Sequence, residues 1–379
     1  MEYINNLRRT LLMAMAALFS NLAWGQVEFR TIADLPGQFN EISGMESADS
    51  SYIYAMNDGG NAAEIYRIDT LGDVVSTSTI QASNTDWEDL TSSKDQLFIG
   101  DFGNNGNSRK NLRVLILDKK DLVDKAVLQP KVIEFTYSDQ TQFPPASNAL
   151  YFDCEAFAYH NDSLYLFTKN RTNPYDGWSF MYVMPAKEGN HTAVKIDSVM
   201  ILGFRKELGW ITSADIHQKQ LMILGSSFAL VWNINTKVRL NATPRRLDFG
   251  HFSQKEALCI LDNQNFLTSD EKFTGLGGPR LFGVEWDGAV MSANADFDPS
   301  GELWVHGDNI FYKSSGAAYK KLEIYDLNGN RALRQKFKSG SSSGSISIDG
   351  LKNGTYFAII ENDNGFKKVM RFIRMNEND

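Results

Sequence analysis

Glu155-Ala-Phe-Ala-Tyr-His-Asn-Asp-Ser-Leu-Tyr-Leu-Phe-Thr168 reads as an acid, an apolar strand, a tight polar turn and a second apolar strand. The pattern occurs four more times. Glu41-Ile-Ser-Gly-Met45 leads to Tyr52-Ile-Tyr-Ala-Met56, and Glu88-Asp-Leu-Thr91 leads to Gln96-Leu-Phe-Ile-Gly100. Asp215-Ile-His217 precedes Gln220-Leu-Met-Ile-Leu-Gly225, and Glu256-Ala-Leu-Cys-Ile260 precedes Asn265-Phe-Leu-Thr-Ser269. The acids are 47, 67, 60 and 41 residues apart. Irregular repeats of that length, each about four strands long, predict an all-β fold, a five-bladed β-propeller.

Strand counting supports five. Glu64–Ile68 and Val74–Ile80 complete the first unit, and units two to four count the same way. The fifth stops at Leu281–Trp286, one strand short. Val27–Ile32 belongs to no other unit, so it is expected to supply the missing strand and close the ring. A six-bladed ring is the alternative, because the gap from Glu88 to Glu155 has room for a degenerate blade. Ser138–Phe152 reads as a loop, which favours five.

Composition bounds the function. The chain has 379 residues and a formal net charge of −8, which argues against a nucleic-acid partner. Two cysteines, Cys154 and Cys259, cannot make a disulfide scaffold; both fall on expected innermost strands, where buried free thiols are the plain reading. Arg8-Arg9, the apolar run Thr10–Phe19 and Ala23-Trp24-Gly25 form a signal peptide over 1–25, cut before Gln26. The mature chain has no transmembrane stretch.

In a propeller the first strand starts and the second ends at the same face. The five acids, Glu41, Glu88, Glu155, Asp215 and Glu256, are therefore expected around one channel mouth. The residues after each second strand join them: Asp58, Asp101, Asn104 and Asp270 as further oxygen donors, and Lys169, Arg171 and Lys272 as anion binders. Such a cluster suits calcium. The five histidines show no zinc spacing, and there is no nucleophile elbow or phosphate-binding glycine loop. His217 and His251 lie near two of the acids. The competing reading of the acids is structural: carboxylates at blade entrances hydrogen-bond the backbone of the next blade.

Past Trp286 the character changes. Asp298-Pro299, the hairpin Tyr325-Asp-Leu-Asn-Gly329, Leu351-Lys-Asn-Gly-Thr-Tyr356 and the basic strand Lys367–Arg374 predict a small β-sandwich over 288–379, after a propeller over 26–287. These elements resemble the C-terminal sorting domain of the Bacteroidetes type IX secretion system. That resemblance implies export to the cell surface or release, with the secretion machinery as partner of 288–379. In the propeller, Trp87-Glu-Asp-Leu90, Phe98-Ile-Gly-Asp-Phe-Gly-Asn-Asn105, Glu155-Ala-Phe-Ala158 and Glu256-Ala-Leu258 resemble phytase-like esterases and the regucalcin and paraoxonase lactonases. The Asp-Pro-Asp-Asp stretch of the phytases and the paraoxonase histidine pair have no counterpart here. The resemblance implies calcium at the channel mouth, polarising a phosphate or carbonyl oxygen. The expected function is that of a surface-delivered propeller with a calcium pocket at its channel mouth; as an enzyme it would be a calcium-assisted phosphoester or ester hydrolase acting on an anionic small molecule. The alternative is a non-catalytic glycan- or protein-binding surface propeller, and a third reading is a structural envelope protein.

Overall fold

The computed structural model describes residues 27–49, 51–201, 206–234, 236–240, 243–249, 253–272, 277–286, 288, 301–306, 308–314, 318–326, 331–338, 340–363 and 367–374. The signal peptide, Asp298-Pro299, His251 and the turn of the 325–329 hairpin lie outside the described residues. The chain divides into two compact units, Met1–Val290 and Met291–Asp379.

The first unit is built from strands β1 (Glu28–Asp34), β2 (Ile42–Ser47), β3 (Tyr52–Asn57), β4 (Glu64–Asp69), β5 (Val74–Ile80), β6 (Trp87–Ser92), β7 (Gln96–Asp101) and β8 (Leu112–Asp118). These are followed by β9 (Val127–Leu128), β10 (Lys131–Tyr137), β11 (Asp153–His160), β12 (Ser163–Lys169), β13 (Trp178–Pro185) and β14 (Gly189–Met200). The unit ends with β15 (Ile211–His217), β16 (Gln220–Gly225), β17 (Phe228–Asn233), β18 (Arg245–Asp248), β19 (Lys255–Ile260), β20 (Asn265–Asp270) and β21 (Arg280–Glu285).

Antiparallel pairing sorts them into meanders in the orders β2-β3-β4-β5, β6-β7-β8-β10, β11-β12-β13-β14 and β15-β16-β17-β18. The last meander, β19-β20-β21, takes β1 as its fourth strand, paired antiparallel from Glu28 opposite Glu285 to Asp34 opposite Arg280. The five first strands touch in chain order, and β19 returns to touch β2. Two parallel pairings that the sequence does not announce stitch the rim. Strand β10 joins β14, and the two-residue β9 joins β5. Residues 138–152 carry no strand.

The arrangement is propeller-like, and its packing explains the composition. A strand between two meanders is covered on both faces, so β12 and β16 read as continuous apolar runs. Strand β10 lies at the rim and alternates, with Ile133, Phe135 and Tyr137 buried between exposed residues. The buried apolar side chains fall into five clusters, one in each seam. One joins Phe98 and Phe135 to Phe157 and Tyr182; another joins Met222 and Val231 to Leu258 and Phe266. Cys154 and Cys259 are buried free thiols on β11 and β19.

In the second unit, β22 (Gly301–His306), β23 (Asn309–Ser314) and β26 (Ser343–Ser347) form one sheet. The other holds β24 (Tyr319–Asp326), β25 (Arg331–Lys336), β27 (Gly354–Asn362) and β28 (Lys367–Arg374), in the order β25-β24-β27-β28. Ile310 and Tyr312 from the first sheet share a core with Leu322, Ile324, Ala358 and Ile360 from the second. Two sheets closing on one core make a sandwich.

Candidate functional site

All five first strands open with the same irregularity. The register skips one residue between Ile42 and Gly44, Trp87 and Asp89, Cys154 and Ala156, Ile211 and Ser213, and Lys255 and Ala257. A bulge re-aims the extra residue out of the ladder. The equivalent positions are therefore Ser43, Glu88, Glu155, Thr212 and Glu256. The sequence reading found three of them. In the first meander it chose Glu41, two residues early and exposed. In the fourth it chose Asp215, three residues deeper. At the two positions without an acid, a hydroxyl ties the ring. Ser43 Oγ donates to the Glu88 carbonyl, and Thr212 Oγ1 donates to the Lys255 carbonyl at 2.7 Å.

Asp215 does what the structural alternative describes. Its carboxylate accepts the Ile260 amide of the next meander at 2.7 Å. Asp89, one place after Glu88, is fully buried and serves three meanders at once. It accepts from Leu90 N, Phe157 N at 3.1 Å, Ser213 Oγ at 2.8 Å and Ala214 N at 3.1 Å. Burial pushes its carboxyl up in pKa, and those donors oppose the push.

Above Asp89 lies the mouth. Asp58, Asp86 and Glu88 each present a carboxylate oxygen, all within 4.8 Å of one another. Two glycines make room. A Cβ on Gly59 would sit 2.7 Å from Asp86 Oδ1, and one on Gly103 would overlap Glu88 Oε1 and the Asp86 carboxyl. Burial, then neighbouring acids, pushes Asp58 up to about 7 and Glu88 well above the usual range. Asp86 is also raised by burial, against the pull of Arg109 at 3.8 Å.

Glu155 behaves differently. Burial alone would raise it, but Lys169 at 2.9 Å and Arg171 at 3.0 Å outweigh that and hold it below the ordinary value. Arg171 also binds Asp153 at 2.6 Å and reaches Asn105. Burial lifts Asp153 to about 7, Glu271 to about 7 and Glu256 to about 8, with neighbouring carboxylates adding to each. Glu41 contributes to the rise of Glu271 and holds Asn61 at 2.7 Å. Trp210 walls this side, with Arg171 at 4.5 Å and Lys169 at 5.2 Å from its ring centre.

The structure thus brings together Asp58, Glu88, Glu155, Glu256, Lys169 and Arg171, with Glu41 at the rim. Four other predicted residues stand apart. Asp101 is fully buried between Arg109 at 3.0 Å and Arg113 at 2.8 Å, and accepts the Asp86 amide at 3.2 Å. Asn104 spans two meanders, giving its amide to Asp153 at 2.7 Å and its side chain to the Phe152 carbonyl at 2.9 Å. Asp270 pairs with the buried Lys255 at 3.2 Å. Lys272 is exposed, its amide bonded to the Asn40 carbonyl at 2.8 Å. His217 is half-buried beside Asp215, below the mouth. Asp86 and Asp153 were missed, whereas Glu271 lies in the polar run Asp270-Glu271-Lys272 that follows the last second strand. Asp86 and Asp153 sit two residues ahead of Glu88 and Glu155, so a repeated acid-x-acid opening was the available signal.

Residues 308–374 match the family described as the secretion system C-terminal sorting domain. No curated protein matches the chain. Similar solved structures include the PQQ-bound aldose sugar dehydrogenase of Streptomyces coelicolor, 11% identical over 69% of this chain and 98% of that one, with a TM-score of 0.42. The WD40 β-propeller domain of Doa1 is 9% identical over 93% and 98%, at 0.32. An immunoglobulin-like DUF3244 protein from Bacteroides vulgatus is 15% identical over 20% and 85%, at 0.19. Among the described residues no helix is long and apolar enough to cross a membrane. With a type IX sorting domain at its C-terminus, this chain is an exported protein, secreted or held at the cell surface.

Proposed function

We propose that this exported chain is a five-bladed propeller that binds a divalent cation, calcium foremost, at its channel mouth through Asp58, Asp86 and Glu88. Five meanders and a closed circuit of first strands support the blade count. The observation that carries the cation site is the cradle: three convergent carboxylates with glycines where any side chain would intrude. Hard oxygen donors suit calcium, and a cation relieves the like-charge repulsion that now favours protonated acids. Binding in the acid-rich cradle releases protons, because the ligands must ionise.

The site is better suited to binding than to hydrolysis. Arg171 and Lys169, the candidates for holding an anionic substrate, are both engaged by Glu155, and Arg171 also by Asp153. The hydrolytic reading keeps one favourable feature. Asp58 is poised near neutrality, where a general base is most effective.

The test is the melting temperature of the mature chain with calcium or magnesium, compared with a double variant Asp58→Asn, Glu88→Gln. Stabilisation by calcium in the wild type alone supports the cation site; equal shifts in both proteins, or none, overturn it. A panel of phosphate and carboxyl esters, turned over only with calcium, would decide for the hydrolase.

A further inference from the structure

The two halves of the cation cradle come from different meanders. Asp58 follows β3 in the first, whereas Asp86 and Glu88 flank Trp87 at the start of β6 in the second. Three carboxyls within 4.8 Å of one another repel when ionised, so the two loops need a tie. Glu88, 6% exposed, turns its carboxyl into the cradle, and among the described residues no N–H group donates to it. A buried carboxyl without a donor calls for a cation, and it cannot itself hold the loops together.

Asn84 spans the gap. Its Oδ1 accepts the Trp87 amide at 3.1 Å, a side-chain turn that fixes the chain on either side of Asp86. Its Nδ2 donates across the seam to the carbonyls of Asp58 at 2.7 Å and Asn57 at 3.2 Å. One half-buried amide thus commits both protons and its acceptor to the backbone that carries the three acids. Serine has one donor and aspartate none, so neither can replace it. The clamped loops lie backbone against backbone. A Cβ on Gly59 would come within 2.9 Å of the Asp86 Cα and 3.1 Å of the Thr85 carbonyl.

We propose that Asn84 is the positioning residue that sets which cation the mouth takes; this rests on the cation reading above. Calcium accepts six to eight oxygens at about 2.3–2.6 Å, whereas magnesium demands near-octahedral geometry at about 2.0–2.1 Å and keeps several waters. Selectivity between them follows from cage size and flexibility. The clamp fixes the span between Asp58 and the Asp86–Glu88 pair, and a span held rigid keeps the acids from closing on the smaller ion. Without the clamp, the Asp58 loop retreats from its neighbours' charge. Calcium then loses one of its three carboxylates, and magnesium, bound largely through water, loses less.

The experiment is calorimetric titration of calcium and of magnesium into the chelator-treated mature chain, as wild type, Asn84→Ala, Asn84→Asp and Thr212→Val. In the wild type, calcium is expected to bind more tightly than magnesium. Asn84→Ala should weaken calcium about tenfold or more and magnesium less, so the preference shrinks. Asn84→Asp keeps the acceptor for Trp87 and covers the case in which the alanine variant misfolds. It should also weaken calcium, although its added negative charge by itself favours a cation. Thr212→Val loosens a seam that does not border the cradle and should bind both ions as the wild type does. The proposal fails if the folded Asn84 variants keep or raise the wild-type calcium affinity. It also fails if Thr212→Val loses as much as they do, since affinity would then track stability alone. A wild-type chain that binds neither ion removes the cation reading itself, and this proposal with it.

Discussion

Asp89 carries more of the ring than any acid the sequence reading chose. One buried carboxylate accepts from backbone or hydroxyl groups of the second, third and fourth meanders. Asp89→Ala leaves Phe157 N and Ala214 N buried without acceptors, at about 1–3 kcal/mol each, and opens a void besides. The expected loss is about 4 kcal/mol or more, measured by urea unfolding; a loss under about 1 kcal/mol would show that the meanders hold without it. The mouth acids give a different, pH-dependent signature. Asp153, Glu271 and Glu256 hold their protons to about 7, 7 and 8 in the fold, against about 4 in an unfolded chain. Between those values the folded state binds more protons than the unfolded one, so stability falls as pH rises. Without divalent cation, the melting temperature should drop between about pH 5 and pH 8. Glu155, whose pKa is lowered, acts in the opposite sense only below the ordinary carboxylate range. A melting temperature that is flat or rising over that interval would mean the mouth acids are already ionised and compensated.

Strands were legible because alternation and apolar runs survive in single sequences, and the expected ends of β2, β5 and β12 fall within a residue or two of those observed. The bulge was not legible. It adds one residue without changing composition, and a one-residue slip moves a side chain to the other face. That is why Glu41 and Asp215 were read as equivalents of Glu88, while Ser43 and Thr212 hold those places. The parallel stitches β5–β9 and β10–β14 were missed for a related reason, since rim pairing depends on distant partners rather than local pattern. Asp101 and Asp270 were visible as acids, but their neutralising partners, Arg113 and Lys255, are 12 and 15 residues away in sequence. The hydroxyl latch gives a test at this scale. Thr212→Val keeps the shape and removes the hydroxyl that donates to the Lys255 carbonyl, so it should cost about 1–2 kcal/mol in denaturant unfolding. No change would mean that the bulge, and not the latch, fixes the fourth seam.

The whole ring depends on its first strand. Phe29 of β1 lies 5.4 Å from the Lys255 ammonium, with Phe282 at 5.1 Å and Phe249 at 5.8 Å. Removing residues 27–34 uncovers this buried charge and leaves β21 as an open edge. The truncated chain should aggregate or unfold, read by size-exclusion chromatography; a monodisperse, cooperatively folded product would contradict closure by β1. Closure matters to function because it fixes the radius at which Asp58 of the first meander meets Asp86 and Glu88 of the second. The most direct test of that convergence is a crystal structure of the mature chain grown with calcium. The account predicts one ion between Asp58, Asp86 and Glu88, with carboxylate oxygens at about 2.3–2.6 Å. Well-ordered carboxylates with no ion among them, or an ion bound only elsewhere, would contradict it.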